Sequence, residues 1–225
     1  MAGSDFDVFE GEFPDGPGVS GFLHAAAGDS ALVLTHGAGG NADSRLLVML
    51  AETLAARGVS VLRCNMPFRQ KRPKGPPNSG GAAKDREGLR RAVECMRERA
   101  AKVYLGGQSY GGRQATILAS EDDRVAEGLL LISYPLHPPG KPELLRTDHF
   151  SELQTPSLFV HGSKDPFGTL AEMREALKLI RGRHKLTELT GGGHGLVRGK
   201  AEGPYREVAT LVAEQFAEFF VSHDD

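Results

Sequence analysis

The sequence predicts one α/β domain across residues 1–225: a mostly parallel sheet, helices on both faces, and a minimal cap or none. Three observations predict it. Compact apolar runs such as Ala31-Leu32-Val33-Leu34 and Leu129-Leu130-Leu131-Ile132 lack the polar alternation of a half-exposed strand, so they read as strands buried on both faces. Segments with apolar residues at helical spacing separate those runs, the strand–helix alternation of a parallel sheet. Glycine-rich loops follow the runs, at the strand ends where open α/β sheets carry their ligand crevice. A chain of 225 residues lies within the range where such a fold stays undivided.

The elements follow in order. Residues 6–10 and 21–26 read as two edge strands around the turn Pro14-Asp15-Gly16-Pro17-Gly18. Residues 31–35 form a central strand ending in His36-Gly37-Ala38-Gly39-Gly40. Ser44 or Asp43 caps a helix carrying Leu46, Leu47, Leu50 and Leu54, closed by Gly58. Residues 59–63 make the next strand. Residues 65–83, rich in proline, glycine and cations, are expected as an irregular surface loop. Residues 85–100 show an amphipathic helix with Leu89, Ala92, Val93 and Met96 on one face. A strand over 103–105 leads through a glycine-flanked serine into another helix, and 128–133 is again a buried strand. The connector 134–155 is too short for a helical cap. A strand over 157–161, a helix over 170–180, a strand over 184–189 and a helix over 205–221 complete the chain.

Composition excludes several classes. With 40% hydrophobic and 25% charged residues and a net charge of −2, the chain reads as an ordinary globular protein without the basic excess of a nucleic-acid binder. Cys64 and Cys95 have neither metal spacing nor a disulfide framework, which points to core thiols in a reducing compartment. The first ten residues are acidic and lack the apolar core of a signal peptide, and no apolar run reaches the ~18 residues of a membrane helix. The expectation is a cytoplasmic protein that acts on a small molecule, without membrane or nucleic-acid partner. No metal-ligand cluster or nucleotide fingerprint stands out, so neither metal nor cofactor is expected.

The chemistry centres on Gly107-Gln108-Ser109-Tyr110-Gly111, a GxSxG pattern between a strand and a helix. A serine at the apex of that reversal sits in a strained backbone conformation, and its neighbours two residues away pass too close for side chains. A neutral hydroxyl needs a base within hydrogen-bond reach, and the base needs a carboxylate to fix its tautomer. Asp165, in the turn after a strand, and His194, in a glycine-rich turn before the last helix, follow Ser109 in the order Ser, Asp, His that α/β-hydrolases use. His161 and His184 are rivals, but each falls within or at the edge of a strand and is expected to be packed. His36 is expected to be structural. An oxyanion needs two fixed donors. The backbone N–H of Tyr110 is the first candidate; Ala38, with Gly39 behind it, is the second. Arg69, Lys71, Arg72 and Lys74, near Arg63, form the one concentrated run of charge. It reads either as a solvated loop or as a feature drawing anionic substrates to the crevice.

Taken together, His36-Gly37-Ala38-Gly39-Gly40, the elbow extended through Gly112-Arg113, the stretch Ile132-Ser133-Tyr134-Pro135-Leu136-His137-Pro138 and Gly193-His194 resemble the α/β-hydrolase superfamily. Within it they are similar to the small dienelactone-hydrolase-like branch that includes the hydrolase-like domain of the non-specific-lethal chromatin complex subunit three. The resemblance implies an α/β-hydrolase fold and a Ser109, Asp165, His194 triad with backbone donors at Ala38 and Tyr110. Arg113 and His137 would be branch-typical residues without an assigned role. Dienelactone hydrolases use a cysteine where this chain has Ser109, so their substrate does not carry over. Two functions remain open: a serine hydrolase of small acyl compounds, carboxylic esters foremost with thioesters or amides as variants, or an interaction module on a hydrolase scaffold.

Overall fold

A computed structural model describes residues 6–78, 80–197, 199 and 201–221. Eight strands form one sheet in the order β1-β2-β4-β3-β5-β6-β7-β8. These are β1 (Asp7–Gly11), β2 (Val19–His24), β3 (Ser30–Thr35), β4 (Val59–Asn65), β5 (Lys102–Gln108), β6 (Leu129–Ile132), β7 (Ser157–Gly162) and β8 (His184–Leu189). β1 pairs antiparallel with β2, and β2 antiparallel with β4. The other six strands run parallel, with Ser30 of β3 in register with Val59 of β4 and Lys102 of β5. Because they are parallel, the loops after β3, β5, β7 and β8 all emerge at one edge.

The strand pleat explains the continuous apolar runs. Ala31, Val33, Val103, Leu105, Leu129 and Leu131 face one layer with Leu89, Val93 and Met96 of α3 (Ala82–Arg97), Leu118 of α4 (Tyr110–Glu121) and Met173 of α5 (Leu170–Leu177). Leu32, Leu34, Tyr104, Leu130 and Ile132 face the opposite layer, made by α1 (Arg45–Ala55) and α6 (Glu202–Phe216). Successive side chains of a strand point to opposite faces, so a sheet covered on both sides demands apolar residues at every position. Ser44 is the α1 N-cap residue, though its hydroxyl bonds Asn41 O (2.8 Å) rather than a helix N–H.

Several boundaries differ from the expectation. The helix expected over 85–100 begins at Ala82 and ends at Arg97, and the one expected over 205–221 runs Glu202–Phe216 before widening into a π-turn, Ala217–Val221. The larger correction concerns residues 65–83. This stretch opens with a one-turn helix, α2 (Pro67–Lys71), in which Pro67, Phe68 and Arg69 are buried. Proline at the first helical position removes an N–H that the helix could not satisfy. The Phe68 N–H donates to buried Asp85 (3.1 Å), and the Phe68 ring packs edge-on against His36 and Tyr110. Arg63 is likewise no surface cation. It is fully buried beside the rings of Phe22 and Phe6, donates through Nε to His24 Nε2 (2.9 Å), and bonds the Ala42 carbonyl. Lys71, Arg72 and Lys74 stay exposed.

Candidate active site

Ser109 stands between β5 and α4 with φ 52° and ψ −115°, a positive-φ conformation rare for a residue with a side chain. The turn closes so tightly that a Cβ on Gly107 would lie 2.6 Å from the Gly111 carbonyl carbon. One on Gly111 would lie 2.6 Å from the Thr35 methyl and 2.7 Å from the His36 carbonyl oxygen. Glycine is therefore required on both sides, and the reversal lifts the Ser109 hydroxyl above the parallel edge.

Three side chains from three loops meet there. Ser109 Oγ lies 2.8 Å from His194 Nε2, and His194 Nδ1 lies 2.8 and 3.0 Å from the two carboxylate oxygens of Asp165. Asp165 is 4% exposed and also accepts the Phe167 N–H (2.9 Å). The Phe167 ring stacks on the His194 imidazole with centroids 4.0 Å apart. The two loops that carry Asp165 and His194 are laced together. Ser163 N–H donates to Leu189 O (3.0 Å), Lys164 N–H to Gly192 O (2.8 Å) and Gly191 N–H to Ser163 Oγ (2.8 Å). A Cβ on Gly162 would come within 2.4 Å of the Gly192 oxygen, so this contact needs glycine.

The rival histidines stand outside this hydrogen-bonded line, although His161 Nε2 lies 3.8 Å from Asp165 Oδ2. His161 is fully buried, its Nε2 donating to Gly168 O (2.8 Å), and burial lowers its pKa. His184 stands at the start of β8, exposed rather than packed as expected, and its Nδ1 bonds the nearby Gly182 carbonyl (2.9 Å). His36 is structural. Its Nδ1 donates to Gly37 O (2.8 Å), its Nε2 accepts the Met66 N–H (3.2 Å), and burial holds its pKa down at about 4. Cys64 is buried, its thiol pushed up to about 12 by desolvation, and burial also raises Cys95; neither presents a thiolate.

The loop 37–40 passes directly over the serine: a Cβ on Gly37 would sit 3.3 Å from Ser109 Cβ. Its peptides are clamped from behind. Gly37 O accepts from His36 Nδ1 and from Gly40 N (3.0 Å); since a trans peptide is planar, the Ala38 N–H must point the opposite way. Arg69 adds a second clamp, Nη2 to Ala38 O (2.9 Å) and Nε to Gly40 O (2.7 Å). Tyr110 opens α4, so its N–H is one of the first-turn donors the helix leaves unsatisfied. Its hydroxyl donates to Asp85 Oδ2 (2.8 Å); burial raises the Asp85 pKa, while this bond and the one from the Phe68 N–H lower it. Above Ser109 opens a cleft of about 590 Å³, walled by loop 37–40, Tyr110, Arg113, Arg146 and Phe167. Among the described residues no group of three or more His, Cys, Asp or Glu could hold a metal, and no helix is long and apolar enough to cross a membrane.

The sequence model of the family described as alpha/beta hydrolase domain matches residues 28–221, well over half of the chain. The chain belongs to that family. Solved structures agree on the fold of this α/β-hydrolase. Est1E from Butyrivibrio proteoclasticus superposes with a TM-score of 0.74 at 17% identity, covering 94% of this chain and 98% of that one. A dienelactone hydrolase from Anabaena variabilis gives 0.73 at 19%, covering 96% and 98%. A serine hydrolase without lid from Xanthomonas campestris gives 0.68 at 16%, covering 97% and 96%. At such identities the likeness is one of fold. It bears out the fold class expected from the sequence, with no separate cap domain among the described residues; membership of the superfamily rests on the family model.

Sequence reasoning missed Asp85, Phe167 and Arg146 as parts of this site, and read Arg69 as a solvated or substrate-drawing cation rather than as a clamp on loop 37–40. Pro67 ahead of an aromatic and an arginine was a helix-start signal in the 65–83 stretch that could have turned Arg69 inward. Nothing in the sequence marked Arg146, which reaches the cleft from the connector 134–155.

Proposed function

We propose that this α/β-hydrolase is a serine hydrolase of small acyl substrates, carboxylic esters foremost, working through an acyl-enzyme. The observation that carries this reading is the unbroken hydrogen-bonded line from the Asp165 carboxylate through His194 to the Ser109 hydroxyl. Ser109 Oγ attacks the ester carbonyl while His194 Nε2 takes its proton. The oxyanion of the tetrahedral intermediate lies against the N–H groups of Ala38 and Tyr110, each such donor being worth ~10²–10³ in rate. As the intermediate collapses, His194 returns the proton to the departing alkoxide, leaving the acyl group on Ser109. Water then attacks with His194 again as base, releasing acid and free serine. Asp165 accepts the Nδ1–H bond throughout, holding that tautomer and stabilising the imidazolium. The lidless cleft favours short or polar acyl groups over long lipid chains.

The test is hydrolysis of a short p-nitrophenyl ester by the wild type and by Ser109→Ala, with the melting temperature of both recorded. The reading expects turnover by the wild type and background rate in the variant at an unchanged melting temperature. Equal turnover by the two would refute the assignment of Ser109.

A further inference from the structure

Two cationic residues, Arg113 and Arg146, line the cleft above Ser109, and no part of the acyl-transfer scheme uses them. Arg113 lies four residues along α4 from the nucleophile, about 6 Å of helix rise and on the same helical face. Its Nε is buried without a hydrogen-bond partner. Arg146 comes from the connector and spends Nη1 on the Pro135 carbonyl at 3.3 Å. The two cations feel one another: after burial, Arg113 is the largest influence lowering the Arg146 pKa, and it also lowers that of nearby His149. Arg86, the next cation, is already paired with Glu121 (3.3 Å). Asp148 raises His149, yet neither Arg113 nor Arg146 forms an ion pair among the described residues. Like charges brought together at a cleft wall with an unsatisfied buried donor cost stability unless an anion completes them.

We propose that Arg113 and Arg146 form a carboxylate subsite, so that the substrate is an ester carrying a free carboxylate a few bonds from the scissile carbonyl. The guanidinium fork matches carboxylate geometry and gives charge-assisted bonds. This proposal rests on the serine-hydrolase reading for its reaction but not for its binding.

Two ester pairs test it: mono-p-nitrophenyl adipate against its methyl ester, with the carboxylate on the acyl side, and 4-acetoxybenzoate against its methyl ester, with the carboxylate on the leaving group. The expected result is a kcat/KM at least about tenfold higher for the anionic member of one pair or both. Arg113→Met and Arg146→Met should each cut that preference about tenfold, the neutral ester in the same variant reporting on folding. Equal kcat/KM within both pairs, or a preference that survives both substitutions, overturns the subsite and leaves the hydrolase reading standing. If the wild type cleaves none of the four, calorimetry on Ser109→Ala decides. Binding of 4-acetoxybenzoate but not its methyl ester, lost on adding Arg146→Met, supports the subsite; equal binding of the two or none overturns it.

Discussion

Replacing Arg69 by methionine keeps much of the buried stem and removes four hydrogen bonds from one guanidinium. These reach Gly40 O (2.7 Å), Ala38 O (2.9 Å), Gly75 O (3.0 Å) and Arg72 O (3.1 Å). All four acceptors are backbone carbonyls, and two belong to the loop that passes over Ser109. A bond to a charged group contributes ~1.5–3 kcal/mol, but the four are not additive, and the exposed Gly75 and Arg72 carbonyls turn to water. We expect a net destabilisation of about 2–3 kcal/mol, which in a chain of this size lowers the melting temperature by about 4–12 °C. The kinetic effect should be larger than stability alone explains. Without Arg69 the Ala38–Gly39 and Gly40–Asn41 peptides can rotate, and the Ala38 donor keeps only the bonds that His36 Nδ1 and the Gly40 N–H make to Gly37 O, the latter loosened with its loop. Partial loss of a donor worth ~10²–10³ predicts a fall of at least about tenfold in kcat, with a smaller change in KM, on a short p-nitrophenyl ester. Thermal melts and steady-state kinetics on the folded variant read both. A melting temperature that falls while kcat holds would refute the link between Arg69 and the oxyanion loop.

Three further outcomes follow from the same geometry. Asp165→Asn preserves shape but favours the wrong imidazole tautomer, and should lower kcat on the same ester by about 10⁴-fold at an unchanged melting temperature. Gly162→Ala drives a methyl against the Gly192 oxygen, separating the loops of Asp165 and His194; we expect about 1–3 kcal/mol of destabilisation by thermal melts and about 10²-fold slower turnover. His36, His24 and His149 are each held at about 4, mainly by burial, against an ordinary value of 6.5. Between pH 6.5 and 4 the unfolded chain thus binds more protons than the folded one, so their contribution is full above 6.5 and is lost as pH falls toward 4. The melting temperature should be level just above pH 6.5 and drop steadily below it; a melting temperature constant from pH 6.5 to 4.5 would contradict the buried, neutral state of these rings.

Fold class was legible because its signals are local. Leu32 and Val33 point to opposite faces and are both apolar, which only a sheet covered on both sides explains, and Ser109 lies between glycines whose absent side chains the turn requires. Asp165 and His194 were legible as loop residues in order after Ser109, though their meeting depends on the β7–β8 register. Arg69 and Arg63 were not legible. A cation in a proline- and glycine-rich stretch, like Arg69, or at a strand end, like Arg63, ordinarily keeps its charge in water, and these two are buried only because backbone carbonyls, ring faces and His24 converge from strands and loops distant in sequence. His184 misled in the opposite sense, since the first residue of an edge strand has too few neighbours to be covered.

The central claim is that the Ser109 hydroxyl is an activated nucleophile rather than a relic of the scaffold. The most direct measurement is peptide-mapped mass spectrometry after treatment with a fluorophosphonate. The account predicts one phosphonyl adduct on Ser109, absent from Ser109→Ala and strongly slowed in His194→Ala. An unmodified Ser109 in the folded wild type, or an adduct on another serine, would contradict it and favour an interaction module built on a hydrolase frame.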